Sequence, residues 1–125
     1  MIEEAARRMA KAERFLAQAS SLSSDEAPEA IIHLSYYAML HAAAAALIHR
    51  HGRAPKSHGT IIGQFAQLTR NDGDKVSSLG RAFNRAEDMR LASDYADHVV
   101  PSAADASEVH DTARAIVAYC RSLLS

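Results

Sequence analysis

The segment HRHGRAPKSHG, residues 49–59, concentrates side chains that bind anions or metal ions. It carries three histidines, two arginines and one lysine, and it contains no acidic residue. Imidazole nitrogens could ligate a metal, and the cationic side chains could bind phosphate. A solvated turn between two helices is the third interpretation of the same residues.

The spacing of the histidines argues against a metal site. His49 and His51 are two residues apart, so on a helix they lie on different faces. Metal sites inside helical bundles use Glu-x-x-His pairs, and the sequence contains none. It also lacks a Walker motif, a Gly-x-Gly-x-x-Gly motif and a Gly-x-Ser-x-Gly elbow. We therefore predict no metal ion and no cofactor.

The position of the basic residues along the predicted helices favours an anion in the second half of this segment. The basic residues of the first half end a helix, where the helix dipole favours cations without any ligand. Lys56 and His58 begin the next helix, where a positive charge is unfavourable unless an anion is bound. The residues therefore form either a phosphate or nucleotide contact at Lys56, Ser57 and His58 or a solvated turn, and the first alternative gives the candidate site.

Two further pairs of polar side chains could form a cleft. Tyr37 and His41 lie one turn apart on a helix that is otherwise apolar. They could form a polar wall facing a cleft or a dimer seam, or the tyrosine could be a core residue whose hydroxyl has a buried partner. Arg90 and Asp94 have the same spacing and precede Tyr95. They could form a helix-end ion pair, or Asp94 could hold Arg90 towards the cleft.

Hydrophobic periodicity predicts five helices and no strand. The second helix should begin at Ser24 or Asp25, with Pro28 in its first turn, and should stop at Gly52. It is apolar nearly all round, which places it in the middle of a bundle. The short connections predict one domain, residues 1–125, folded as an all-α antiparallel bundle of four long helices plus one short helix. The predicted helices cover about residues 2–20, 24–51, 58–70, 75–93 and 103–124.

Composition narrows the class of protein. The chain has 14 Lys+Arg and 15 Asp+Glu, so any nucleic-acid contact must come from a local basic patch. Its one cysteine, Cys120, excludes an intrachain disulfide. The acidic residues near the N-terminus argue against a secretory signal. The most apolar stretch, residues 38–48, is too short to span a bilayer. We therefore predict a cytoplasmic protein that does not enter a membrane.

Three segments together resemble a small HEPN-domain family (higher eukaryotes and prokaryotes nucleotide-binding). They are SYYAMLHAA at residues 35–43, PKSHG at residues 55–59 and RLASDY at residues 90–95, in the order and spacing of that family. The resemblance covers about residues 2–124. It implies a bundle of four or five helices that usually forms a homodimer. It also implies a frequent partnership with a minimal nucleotidyltransferase, often as a toxin–antitoxin pair.

The resemblance also implies a candidate ribonuclease motif. Many HEPN proteins are metal-independent ribonucleases that use an arginine and a histidine with four to six residues between them, usually just before the last helix. Arg90 stands where the family has this arginine, but Tyr95 stands where a histidine would be expected. Arg53 and His58 match the spacing, but they lie between the second and third helices.

The leading expectation is a HEPN-like module that binds nucleotide or RNA and is the partner of a minimal nucleotidyltransferase. The first alternative is a metal-independent endoribonuclease toxin, with Arg90 and His58 as candidate catalytic residues. The second alternative is a helical adaptor that binds another protein but no nucleotide. The residues expected to bind the nucleotide or its phosphate are Lys56, Ser57, His58, Arg90, Asp94, Tyr95, Tyr37 and His41.

Overall fold

Five α-helices pack into one bundle in the computed structural model, which describes residues 2–125. Met1 and the side chain of Ile2 lie outside the described residues. No strand occurs in the described part of the chain, so the prediction of an all-α bundle with four long helices and one short helix is confirmed. The helices are α1 (Ile2–Ser20), α2 (Pro28–His51), α3 (His58–Thr69), α4 (Asp74–Tyr95) and α5 (Ala103–Leu124).

Helix α2 is the centre of the bundle and contacts each of the other four helices. Its alanine run, residues 42–46, is buried, and these small side chains let neighbouring helices approach closely. By length and composition, α2 is long and apolar enough to cross a membrane. The sequence-based expectation differed because it counted only the shorter apolar stretch, residues 38–48. However, 78% of the apolar window of α2 is buried inside the bundle, as expected for a core helix.

The start of α2 differs from the prediction, because the helix begins at Pro28 and not at Ser24 or Asp25. The preceding residues form a turn closed by the Ala27 N–H, which donates to the Ser23 carbonyl over 2.8 Å. A proline disfavours the helical conformation in the residue before it, and Ala27 accordingly has φ −136° and ψ 55°. Proline at the first helical position also needs no hydrogen bond for its nitrogen.

The end of α2 agrees with the prediction. Gly52 adopts the left-handed conformation with φ 87°, and its N–H donates to the carbonyl of Ile48 over 2.7 Å. A side chain would strain this conformation, so glycine permits the chain to leave the helix sharply. Ser57 then caps α3, since its Oγ accepts a hydrogen bond from the Thr60 N–H over 3.1 Å.

Contacts between helices define which connections share an end of the bundle. The first turns of α2 meet the last turn of α4, where His33 Nε2 lies 2.7 Å from Asp94 Oδ1. At the same end, Ser20 Oγ of α1 lies 2.9 Å from His110 Nε2 of α5. The α1–α2 and α4–α5 connections therefore lie at one end of the bundle, and the α2–α3 junction lies at the other.

Candidate functional site

An open cavity of about 750 Å³ lies at the α2–α3 junction. One part of its wall is basic, two glutamines of α3 form another, and a small apolar surface completes it. No acidic residue lines the cavity. The lining residues are Arg50, His51, Arg53, Ala54, Pro55, Lys56, Gln64, Gln67 and Leu68.

The cations of this cavity carry uncompensated charge. Arg50 belongs to the last turn of α2, and the chain changes direction after Gly52. Arg53 and Lys56 come after this change of direction and line the same cavity as Arg50. None of these three cations forms an ion pair within residues 2–125. Cations gathered in a concave surface that no acidic residue lines attract anions.

The three adjacent residues predicted to bind phosphate have different surroundings. Lys56 lines the cavity. The hydroxyl of Ser57 is engaged in capping α3. His58 faces away from the cavity, and its Nδ1 lies 3.3 Å from the hydroxyl of Tyr36 in α2. The cavity therefore combines Lys56 with basic residues from the first half of the segment. The helix dipole alone was sufficient to explain the positive charge of that first half, so the sequence did not assign those residues to a site.

The glutamines are a part of the cavity that the sequence reasoning missed. Gln64 and Gln67 are three residues apart in α3, so they share one face of that helix. In the sequence they are indicated only by their spacing of three residues in the helix that follows the basic segment. Each amide both donates and accepts hydrogen bonds, which suits recognition of a base or a ribose.

A second group of polar side chains lies in the core between α2 and α4. Arg90 is only 8% exposed, and its Cζ lies 4.6 Å from the centroid of the Tyr36 ring. Its Nη1 donates to Asp94 Oδ2 over 3.0 Å, and its Nη2 lies 3.6 Å from Glu87 Oε1. These two carboxylates offset the positive charge of the Arg90 guanidinium, so Arg90 attracts an external phosphate more weakly.

Tyr36, and not Tyr37, is the buried tyrosine at the centre of this group. Its side chain is fully buried. Burial, followed by the neighbouring Glu87 carboxylate, raises the pKa of the Tyr36 phenol, so the hydroxyl stays protonated. Tyr37 is half-buried, and its ring lies edge-on to His58 with 6.0 Å between the centroids.

His41 faces α1. The Nε of Arg8 donates to His41 Nδ1 over 3.2 Å, and the imidazole stacks on Phe15 with 5.6 Å between the centroids. Burial, together with the positive charge of Arg8, lowers the pKa of His41 to about 4. Phe15 also packs against Tyr37, so the polar wall expected on this side of α2 is covered in part by α1.

The predicted site residues therefore separate into different places. Lys56 lies at the cavity. His58, Tyr37 and Arg90 each contact Tyr36, and Asp94 is bonded to Arg90. Tyr95 is 80% exposed at the end of α4 and lies outside both groups. The contact between Arg90 and Asp94 expected from their spacing is present.

Within residues 2–125, no three His, Cys, Asp or Glu side chains lie close enough together to hold a metal ion. His33 and Asp94 approach each other without a third such group. Cys120 is fully buried on α5, and burial raises the pKa of its thiol, so it is not a reactive thiolate.

The family model of the HEPN domain matches residues 5–123, from the first turn of α1 to the last turn of α5. The matched region includes both the cavity and the polar group around Tyr36. No match was found among curated proteins.

Proposed function

The chain belongs to the HEPN-domain family, and from that premise we propose that it binds nucleotides or RNA through the basic cavity at the α2–α3 junction. HEPN domains are nucleotide- or RNA-related modules. The observation that carries the proposal is a cavity of about 750 Å³ lined by several cations and no acidic residue. Its volume falls within the range of about 300–1,000 Å³ that small-molecule sites occupy.

The lining suggests how a nucleotide would be held. Arg53 can bind a phosphate through two parallel N–H groups, and Lys56 supplies a second positive charge. Gln64 and Gln67 can hydrogen-bond a ribose hydroxyl or a base edge. The side chain of Leu68 offers apolar surface to the face of a base.

The binding proposal is tested by fluorescence anisotropy with a labelled single-stranded RNA at several salt concentrations. Arg53→Glu and Lys56→Glu should each weaken binding about tenfold. Because each contact releases counterions from a single strand, each variant should also reduce the salt slope by about 0.7.

Arg14→Glu is the charge-matched control for these variants. Arg14 is exposed on α1 and precedes Phe15, which packs against Tyr37, about 20 Å along α2 from Arg50. The control should bind RNA within about twofold of the unaltered protein after screening by salt. An equal loss in the control and in the cavity variants, or no RNA binding at all, would refute the proposal.

A second candidate function is metal-independent RNA cleavage at Arg90 and His58. The observation that favours it is that both side chains contact Tyr36, although they are 32 residues apart in the sequence. Arg90 would have to exchange its bond to Asp94 for a phosphate before it could act. RNA cleavage in EDTA that is abolished by His58→Ala supports this candidate, and RNA that remains intact with the purified protein eliminates it.

Pairing with a minimal nucleotidyltransferase, a toxin–antitoxin role, homodimer formation and a cytoplasmic location rest on the resemblance and the composition, and they stay predictions. Sedimentation equilibrium of the purified chain tests the homodimer directly. A chain that remains monomeric at the highest concentration measured would exclude a stable dimer.

A further inference from the structure

The end of the bundle opposite the cavity exposes large apolar side chains. We call it the acidic end; it comprises the α1–α2 connection (residues 21–27), the α4–α5 connection (residues 96–102) and the adjoining helical turns. All large hydrophobic side chains that are exposed in the described part of the chain belong to it. They are Leu22, Tyr95, Val99 and Val100.

Apart from histidines, the exposed ionisable side chains of the same end are all acidic. Neither residues 15–49 nor residues 91–113 contain a lysine or an arginine. Exposed carboxylates lie in the same connections and helical turns as the apolar side chains. Two other carboxylates of this end are already engaged, since Asp94 is paired with Arg90 and Asp105 accepts a hydrogen bond from the Ser102 N–H. The exposed acidic residues of this end are Asp25, Glu26, Glu29 and Asp97.

The apolar side chains are presented on an anchored segment. The Val99 N–H donates to the Ala96 carbonyl over 2.9 Å, which closes a turn immediately after α4. Pro101 is buried, so the chain is held to the bundle on the other side of Val100. Val100 itself is 78% exposed between these two anchors. A short, restrained segment loses little conformational entropy when a partner covers it.

Charge decides which partner can cover this surface. The carboxylates repel the phosphates of a nucleic acid and the anionic headgroups of a membrane. They equally repel the acidic end of a second copy in a symmetric contact. Tyr95, Val99 and Val100 lie exposed within six residues, with the exposed Asp97 between them. Such a combination of apolar and charged side chains is typical of a protein interface. We propose that the acidic end docks a partner-protein segment that carries both lysine or arginine and apolar side chains, as a basic amphipathic helix does.

This inference is independent of nucleotide binding at the cavity. The α2 helix has 24 residues and spans about 36 Å between the two ends. Failure of RNA binding would leave the docking proposal untouched, and the reverse also holds.

The docking proposal is tested with a fluorescein-labelled amphipathic peptide of about 18 residues, built from lysine and leucine. The full chain should bind this peptide, and should bind a lysine–serine peptide of equal charge at least tenfold more weakly. Tyr95→Ser and Val100→Ser leave the net charge unchanged, and each should weaken binding several-fold. Glu26→Lys and Asp97→Lys should weaken it and lower its salt dependence.

Glu3→Lys is the matched control for the charge reversals, because Glu3 is exposed at the start of α1, away from the acidic end. It should leave peptide affinity within about twofold. Far-ultraviolet circular dichroism checks that each variant is folded. Unchanged affinity in both serine variants would overturn the proposal. So would self-association of the chain that Asp97→Lys abolishes, because a second copy would then be the occupant.

Discussion

The guanidinium of Arg90 lies on the ring of Tyr36, 4.6 Å from its centroid, and the same group is bonded to Asp94 one turn along α4. A positive charge is thus held in the core by an aromatic face and by carboxylates at its edge. This arrangement joins α4 to the central helix by a buried polar contact, next to apolar contacts such as that of Tyr36 with Phe83. Nearer the end of α4, His33 and Asp94 form a second polar contact between the same two helices.

Loss of the guanidinium should destabilise the fold strongly. Arg90→Leu would remove the guanidinium from two carboxylates that are largely shielded from solvent, leaving Glu87 without a cation and Asp94 with only the His33 imidazole. We expect the free energy of unfolding in urea to fall by about 3 kcal/mol. Arg90→Lys should recover only part of this, because an ammonium cannot stack on Tyr36 and bond both carboxylates. Arg81→Leu, at an exposed position of the same helix, should change stability by less than about 0.5 kcal/mol. A similar result for Arg90→Leu and Arg81→Leu would show that the contact contributes little.

The hydroxyl of Tyr36 should contribute a smaller amount. Tyr36→Phe keeps the ring beneath Arg90 but removes the group that contacts His58 Nδ1. Because the half-buried His58 then loses this partner, we expect the unfolding free energy to fall by about 1 kcal/mol. Tyr95→Phe changes an exposed hydroxyl and should have no measurable effect. Equal midpoints for Tyr36→Phe and the unaltered protein in urea denaturation would contradict this role.

His41 should make stability depend on pH in the acidic range. Its pKa is about 4 in the folded chain and 6.5 in the reference state, so only the unfolded chain gains this proton as the pH falls below about 6.5. The contribution of His41 to stability is therefore fully present above pH 6.5 and is lost progressively down to about pH 4. His41→Gln keeps an acceptor for Arg8 and does not titrate. Denaturation at a series of pH values should show a smaller decrease for this variant than for the unaltered protein; parallel curves would refute the assignment.

Two glycines in helices should respond oppositely to alanine. A Cβ on Gly63 would meet nothing within 4 Å, so Gly63→Ala should stabilise α3 by about 0.5–1 kcal/mol through helix propensity. A Cβ on Gly80 would lie 3.1 Å from Ala66 Cα and 3.3 Å from Thr69 Oγ1, where α4 crosses α3. Gly80→Ala should therefore give a net loss of about 1 kcal/mol, because overpacking outweighs propensity. Thermal denaturation of both variants checks the prediction, and a rise in Tm for Gly80→Ala would contradict the close crossing.

Much of the fold was predictable from local signals. The apolar periodicity indicated all five helices, and Gly52 marked the end of α2. The predicted start of α2 was wrong because the effect of Pro28 on the residue before it outweighs the preference of Ser24 for a capping position.

The site was less predictable because its contacts join different helices. The spacing of Arg90 and Asp94 along one helix indicated their contact. No spacing indicates that His58 meets Tyr36, or that Arg8 reaches His41, since tertiary packing determines both pairs. The cavity was assigned too narrowly for a related reason. A favourable dipole explains a basic residue at a helix end, but it does not exclude a second role in binding.

The length of α2 has a consequence for how the two ends of the bundle interact. They are separated by about 36 Å, whereas the Debye length is about 8 Å at physiological ionic strength. The field of the basic cavity is therefore screened before it reaches the carboxylates at the opposite end. A polyanion at one end and a cationic protein at the other would be electrostatically independent, so the bundle would act as a rigid spacer holding the two about one helix length apart.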